Sequence, residues 1–201
     1  SNMFVSEKRC FYGEFSLRIP GEHNAKNALA AIAVGTKIGV PMNAIRDALE
    51  NFRGAARRFE IVAEANGIVI IDDYAHHPTE IRATLRAARE RFAGRRIWAV
   101  FQPHTFSRTL ALLAEFGDAF GDADRVIITD IYASREQDDG SVSAPDIVKR
   151  MQGADVQFIP TLGEVINYLA TSLEAGDVLV TLGAGTVTHV GYAVAEKIQE
   201  R

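Results

Sequence analysis

Residues 68–102 read IVIIDDYAHHPTEIRATLRAARERFAGRRIWAVFQ, and this stretch decides the fold. Residues 68–72 form a short, unbroken apolar run ending in an acid, the pattern of a strand covered on both faces. Over 78–92 the period changes: Ile81, Leu85, Ala88 and Phe92 recur at helical spacing and lie along one stripe. Pro78 suits the first helical turn, and Glu80 suits the positive end of the helix dipole. Residues 96–102 return to an apolar strand. A buried strand, an amphipathic helix and a second buried strand make a crossover unit with parallel strands.

The same rhythm continues downstream. A helix is expected within 107–120, a strand over 125–130, a helix over 144–151, a strand over 156–159, a helix over 163–173, a strand over 178–182 and a helix over 186–199. With a strand over 59–65 ahead of the quoted stretch, residues 57–201 read as an α/β domain, a doubly wound, mainly parallel, Rossmann-like sheet. Residues 136–143 (EQDDGSVS) are the most loop-like part.

Upstream the style differs. A strand is expected over 10–19, closed by Pro20-Gly21, then helices over 23–38 and 41–52. One strand and two helices make a poor domain, so residues 4–56 read as the tail of something larger. Residues 1–3 read as a cloning scar and start, and stay outside the argument.

Composition excludes some classes. The net charge of −4 gives no electrostatic reason to bind nucleic acid or an anionic membrane. Cys10 is the single cysteine, which excludes an intrachain disulfide and suits a reducing, cytoplasmic setting.

Polar residues gather where the strands end, which is where open α/β sheets bind ligands. The strand over 68–72 runs into Asp73, Tyr74, His76 and His77. The strand over 96–102 runs into His104 and Arg108. Asp130, Tyr132, Arg135 and Glu136 follow the next strand, and Gly183-Ala184-Gly185-Thr186 the last. Two adjacent acids and two adjacent histidines exceed what a helix cap needs. A carboxylate there can accept from a ribose or orient a metal-bound water, and a neutral histidine can position an amine or carboxylate. Asn24 and Asn27 share a helix face and could read an adenine edge, or one of them could simply cap the helix. Arg57 and Arg58 could reach a phosphate or form a solvated pair. The glycine loop could bind an anion through backbone N–H groups, but G-x-G-x-x-G is not completed, because Thr188 stands at its last position.

Four segments in order, PGEHNAKNALAA (20–31), FRGAARRFE (52–60), DDYAHHPTEI (72–81) and VFQPHTFSRT (100–109), resemble the Mur ligase family. The last two are similar to its alanine-adding members. The resemblance implies a three-domain protein, with the end of the central ATP-binding domain and the whole C-terminal domain in this chain. It implies peptidoglycan synthesis, ATP and Mg2+ as cofactors, and UDP-N-acetylmuramate and L-alanine as substrates. It implies that His23, Asn24 and Asn27 hold the adenine, that Arg58 reaches the ATP phosphates, and that Asp73 lies on the nucleotide side. Tyr74, His76 and Arg108 would line the amino-acid pocket. Arg58 and Asp73 would be the catalytic pair, with no metal ligand in this stretch.

There are departures. Thr105 stands where many members carry a second arginine, and Thr186 where an acid or amide is common. No G-x-x-x-x-G-K-[ST] phosphate loop occurs in the 201 residues, so the chain alone is expected to be inactive. Three alternatives remain: a tripeptide-recycling or glutamate-adding ligase, a metal-dependent hydrolase using Asp72, Asp73, His76, His77 and His104, and a non-catalytic nucleotide-binding module.

Overall fold

The computed structural model describes residues 2–7, 10–19, 22–52, 54–151 and 155–200; the side chains of 2–7, 10–12, 22 and 23 fall outside the described set. The chain forms two compact units, Ser1–Ala55 and Ala56–Arg201.

The first unit holds β1 (Asn2–Glu7), β2 (Cys10–Ser16), α1 (Glu22–Lys37) and α2 (Met42–Asn51). β1 and β2 pair antiparallel, with Asn2 opposite Ser16 and Met3 opposite Phe15. Asn2 and Met3, expected within a start segment, are therefore part of a strand. The strand expected to reach residue 19 ends at Ser16. Pro41, with φ −58°, precedes α2, as its fixed torsion favours. Phe15, Ile32 and Ile45 form a small core, with Met42 and Leu49 packed against it.

The second unit holds β3 (Glu60–Ala65), β4 (Ile68–Asp73), α3 (Pro78–Arg91), β5 (Ile97–Phe101), α4 (Phe106–Ala111), α5 (Leu113–Gly117), β6 (Arg125–Ile128), α6 (Ala144–Val148), β7 (Asp155–Phe158), α7 (Leu162–Ser172), β8 (Val178–Leu182) and α8 (Thr188–Gln199). Its sheet has the order β3-β4-β8-β5-β6-β7. β3 is antiparallel to β4, and β4, β8, β5, β6 and β7 run parallel. Asn66 and Gly67 join β3 to β4 with φ of 50° and 80°, as a tight two-residue hairpin requires.

Alternate residues of the buried strands face two separate cores. Val69, Ile71, Ala99, Phe101, Val180 and Leu182 pack with Ile81 and Leu85 of α3, Phe116 of α5 and Ile147 of α6. Ile70, Trp98, Val100, Ile127 and Leu179 pack with Val165 and Leu169 of α7 and Val190, Val194 and Ile198 of α8. Helices on both faces make the sheet doubly wound, as the sequence implied.

The single helix expected within 107–120 is two short helices broken at Leu112, where φ is −109° and ψ 15°. The Leu112 N–H turns to both the Arg108 and Leu110 carbonyls. β6 ends at Ile128 rather than 130.

Candidate active site

β4 and β5 send the chain to the face carrying α3 and α5, whereas β8, lying between them, sends it to the face carrying α8. Connections that diverge in this way open a crevice beyond the carboxyl ends of the strands. The polar groups of the second unit described next lie on that edge.

Asp72 and Asp73 end β4 and point to opposite sides, as successive strand residues do. Asp72 is fully buried and accepts from Arg57 Nε at 2.7 Å, Thr181 Oγ1 at 2.7 Å and Thr188 Oγ1 at 3.0 Å. The Arg57 guanidinium also donates to the carbonyls of Gly183 at 2.7 Å and Gly185 at 3.4 Å. Its carbon lies 5.2 Å from the Tyr74 ring centroid. One arginine thus ties the end of β4 to the glycine loop after β8 and carries an exposed tyrosine on its face. That loop is fastened through its own polar groups: Gly183 N–H donates to the Asp73 carbonyl, and Val187 N–H to Gln102 Oε1. Loop donors that an anion would use are engaged at both ends.

Asp73 Oδ1 accepts from Ala75 N–H and Oδ2 from Phe59 N–H, at 2.7 and 2.8 Å. Burial pushes this carboxyl above its ordinary value, and those two N–H donors, with the Thr84 hydroxyl, pull it back in part. His77 caps α3, with Thr79 N–H donating to its Nδ1 at 3.2 Å, and Glu80 completes a capping box. Burial acts to raise the Glu80 carboxyl, and the N–H groups of His76 and His77 overcome it, so it lies below its ordinary value.

Rings form a row along the edge. Tyr74 meets His76 edge-on at 5.4 Å, His76 meets His104 at 6.4 Å, and His104 stacks on Tyr132 at 5.6 Å. His76 Nδ1 lies 3.0 Å from the Tyr74 carbonyl, which can only accept, so Nδ1 carries the proton. When neutral, His76 therefore presents a lone pair on Nε2. His104 is the reverse. Arg108 Nη1 donates to its carbonyl at 2.6 Å and lies 3.0 Å from its Nδ1, and an arginine N–H can only donate. His104 Nδ1 is thus the acceptor and Nε2 carries the proton. Burial, then the Arg108 charge, holds this imidazole below its ordinary value, so it is neutral at pH 7.

Gly185 lies close against Gln102 and Tyr132. A Cβ on Gly185 would run into Gln102 Oε1 and lie 2.9 Å from Tyr132 Cγ, so only glycine lets the loop lie this close.

Tyr74, His76 and Arg108 of the expected pocket share one edge, with Asp73 beneath. Arg58 is exposed, and its neighbour Arg57 makes the buried contacts. Asn24 is half-buried and Asn27 exposed, both on α1 of the first unit. The His23 side chain lies outside the described residues. Among the described residues, no group of three or more His, Cys, Asp or Glu could hold a metal. The hydrolase alternative loses its support, because Asp72, Asp73 and His77 are spent on the protein's own donors. Arg57, expected to reach a phosphate or form a solvated pair, is bonded instead to Asp72 and the glycine loop. Sequence reasoning gave no role to Gln102, Tyr132 or Glu136; the polar cluster after β6 was the only signal for the last two.

Residues 57–185 match the model of the Mur ligase, glutamate ligase domain. The UDP-N-acetylmuramate–L-alanine ligase of Roseiflexus sp. (strain RS-1) is 50% identical over 189 residues, covering 94% of this chain and 40% of that protein. The enzyme of the same name from Caldanaerobacter subterraneus subsp. tengcongensis is 46% identical over 189 residues, covering 93% of this chain and 41% of its own length. The crystal structure of the UDP-N-acetylmuramate–alanine ligase of Thermotoga maritima superposes with a TM-score of 0.75 at 33% identity, covering 99% of this chain and 43% of that one. The chain spans about two fifths of the length of the curated relatives it matches. With a family model matched over most of the second unit and relatives of this identity over nearly its whole length, the chain belongs to the Mur ligase family.

Proposed function

We propose that this chain is the carboxyl-terminal part of an ATP-dependent ligase that joins L-alanine to the carboxylate of UDP-N-acetylmuramate in peptidoglycan synthesis. Residues 4–56 belong, on this reading, to the tail of its central ATP-binding domain, and 57–201 form its C-terminal domain. The observation that carries the reading is the edge formed by Tyr74, His76 and Arg108. Arg108 spends Nη1 on His104 and keeps the rest of its guanidinium for a carboxylate. His76 Nε2 can accept from the amine, and the exposed Tyr74 ring offers an apolar surface on which a methyl group can rest. Holding amine and carboxylate at two fixed points orients the amine for attack, which is most of what such a reaction asks of this domain.

When bound, ATP supplies the phosphoryl group that activates the carboxylate. Asn24, Asn27 and His23 are assigned to its adenine, Arg58 to its phosphates and Asp73 to the nucleotide side. Asp73 acts through the backbone it fixes, since both its oxygens accept N–H groups. The residues present fit only part of the nucleotide. No phosphate loop occurs among them, and no described residue is assigned to Mg2+. A cytoplasmic setting agrees with the nucleotide substrates. No helix among the described residues is long and apolar enough to cross a membrane.

The test is ADP release by the full-length protein with UDP-N-acetylmuramate, magnesium and single amino acids. Alanine should support release best. Release that is no faster with alanine than without it would overturn the proposal.

A further inference from the structure

The segment over 131–143 has no helix or strand, yet it is fastened at two points to one short piece of chain. At the first, Tyr132 N–H donates to the Pro103 carbonyl at 2.8 Å, and the Tyr132 ring lies on His104 with 14° between the planes. At the second, Glu136 Oε1 accepts from the hydroxyls of Thr105 and Ser107, both at 2.5 Å, and Oε2 accepts from Ser107 N–H at 2.8 Å. A turn closed by Glu136 N–H on the Ala133 carbonyl, with Ser134 at φ 57°, brings the carboxylate back to that piece. Between the two attachments lies His104, and one helical turn on lies Arg108, bonded to it.

We infer that Glu136 is a positioning residue for amino-acid binding: through Thr105 and Ser107 it fixes the segment that aims His104 and Arg108, and it holds Tyr132 over the imidazole. This rests on the proposed amino-acid pocket. Thr105 also gains a use, since its hydroxyl is one of the two that hold this carboxylate. Hydroxyl and N–H donors hold the Glu136 carboxyl down at about 2, so it stays ionised across the working pH range. The latch remains negative and turns a substrate carboxylate away from Thr105 and toward Arg108.

The test uses Glu136→Ala, Glu136→Gln and Thr105→Val with two readouts. In the full-length ligase, Glu136→Ala should raise the KM for alanine about tenfold, the order expected for lost hydrogen bonds to a charged group, with the KM for ATP unchanged. Glu136→Gln, which can keep the hydroxyl donors but cannot accept from Ser107 N–H at its amide nitrogen, should fall between. Adding Thr105→Val to Glu136→Ala should cost nothing more. In the chain itself, the His104 ring protons should lose the upfield shift given by the stacked Tyr132 ring, while the fold's other amide signals stay in place. Equal rises in both KM values, additive costs for Glu136 and Thr105, or an unmoved His104 signal would overturn the inference. If the full-length protein prefers another amino acid, the proposed substrate fails, and the His104 signal still decides whether Glu136 is the latch.

Discussion

The Tyr132 ring lies parallel to the His104 imidazole, 5.6 Å away, and bonds from Arg108 leave that imidazole one proton, on Nε2. The segments that follow β5 and β6 thereby share one pair of rings.

The first prediction concerns pH. His104 has a folded-state value below its ordinary 6.5. For a histidine shifted down, the stabilisation is complete above 6.5 and is lost as pH falls through that value toward the lower folded one. Denaturant midpoints should therefore drop below about pH 6.5 in the wild-type chain, and less in His104→Phe. Nitrogen shifts at pH 7 should show a neutral ring protonated at Nε2. A charged ring, or one protonated at Nδ1, would contradict the geometry.

Adjacent arginines should separate cleanly. Arg57→Ala leaves buried Asp72 without its cation and should cost about 1.5–3 kcal/mol, a hydrogen bond to a charged group. Arg57→Lys should recover little, because one ammonium cannot reach both Asp72 at the end of β4 and two carbonyls of the loop after β8. Arg58→Ala should leave stability within about 0.5 kcal/mol, as for an exposed side chain, while lowering turnover in the full-length ligase. Urea unfolding and ADP release check the pair.

Asp73→Asn should destabilise. An amide offers one acceptor where the carboxylate serves both Ala75 N–H and Phe59 N–H. The unpaired donor should cost about 1–3 kcal/mol, read as a lower denaturant midpoint. Because the Asp73 value is raised, wild-type stability should fall as pH rises from 3.8 through the folded value. The Asn variant should lack that slope.

Gly185→Ala should destabilise by about 1–3 kcal/mol through overpacking, read as a lower denaturant midpoint, since Gln102 Oε1 and Tyr132 both occupy the space. Gly163→Ala, where nothing stands within 4 Å, is the control.

The sheet was legible because β4, β5 and β8 are unbroken apolar runs, covered on both faces. β1 was not, because its six residues lack clean alternation and begin where a start segment was assumed. Nothing in the sequence marks the break at Leu112, since neither glycine nor proline stands within residues 107–116. The candidate site was legible as a class of residues at strand ends. Which arginine turns inward was not, since Arg57 takes a positive φ of 59° that local sequence does not announce. Nor was the Glu136 contact, which closes over 29 residues and depends on the loop's path.

The most direct measurement is the KM for alanine of Arg108→Ala in the full-length ligase. The account expects a rise of about tenfold to a hundredfold, the loss of a charge-assisted contact, with the KM for ATP within about twofold of wild type. An unchanged KM for alanine, or a rise confined to ATP, would contradict the placement of the amino-acid carboxylate at the end of β5.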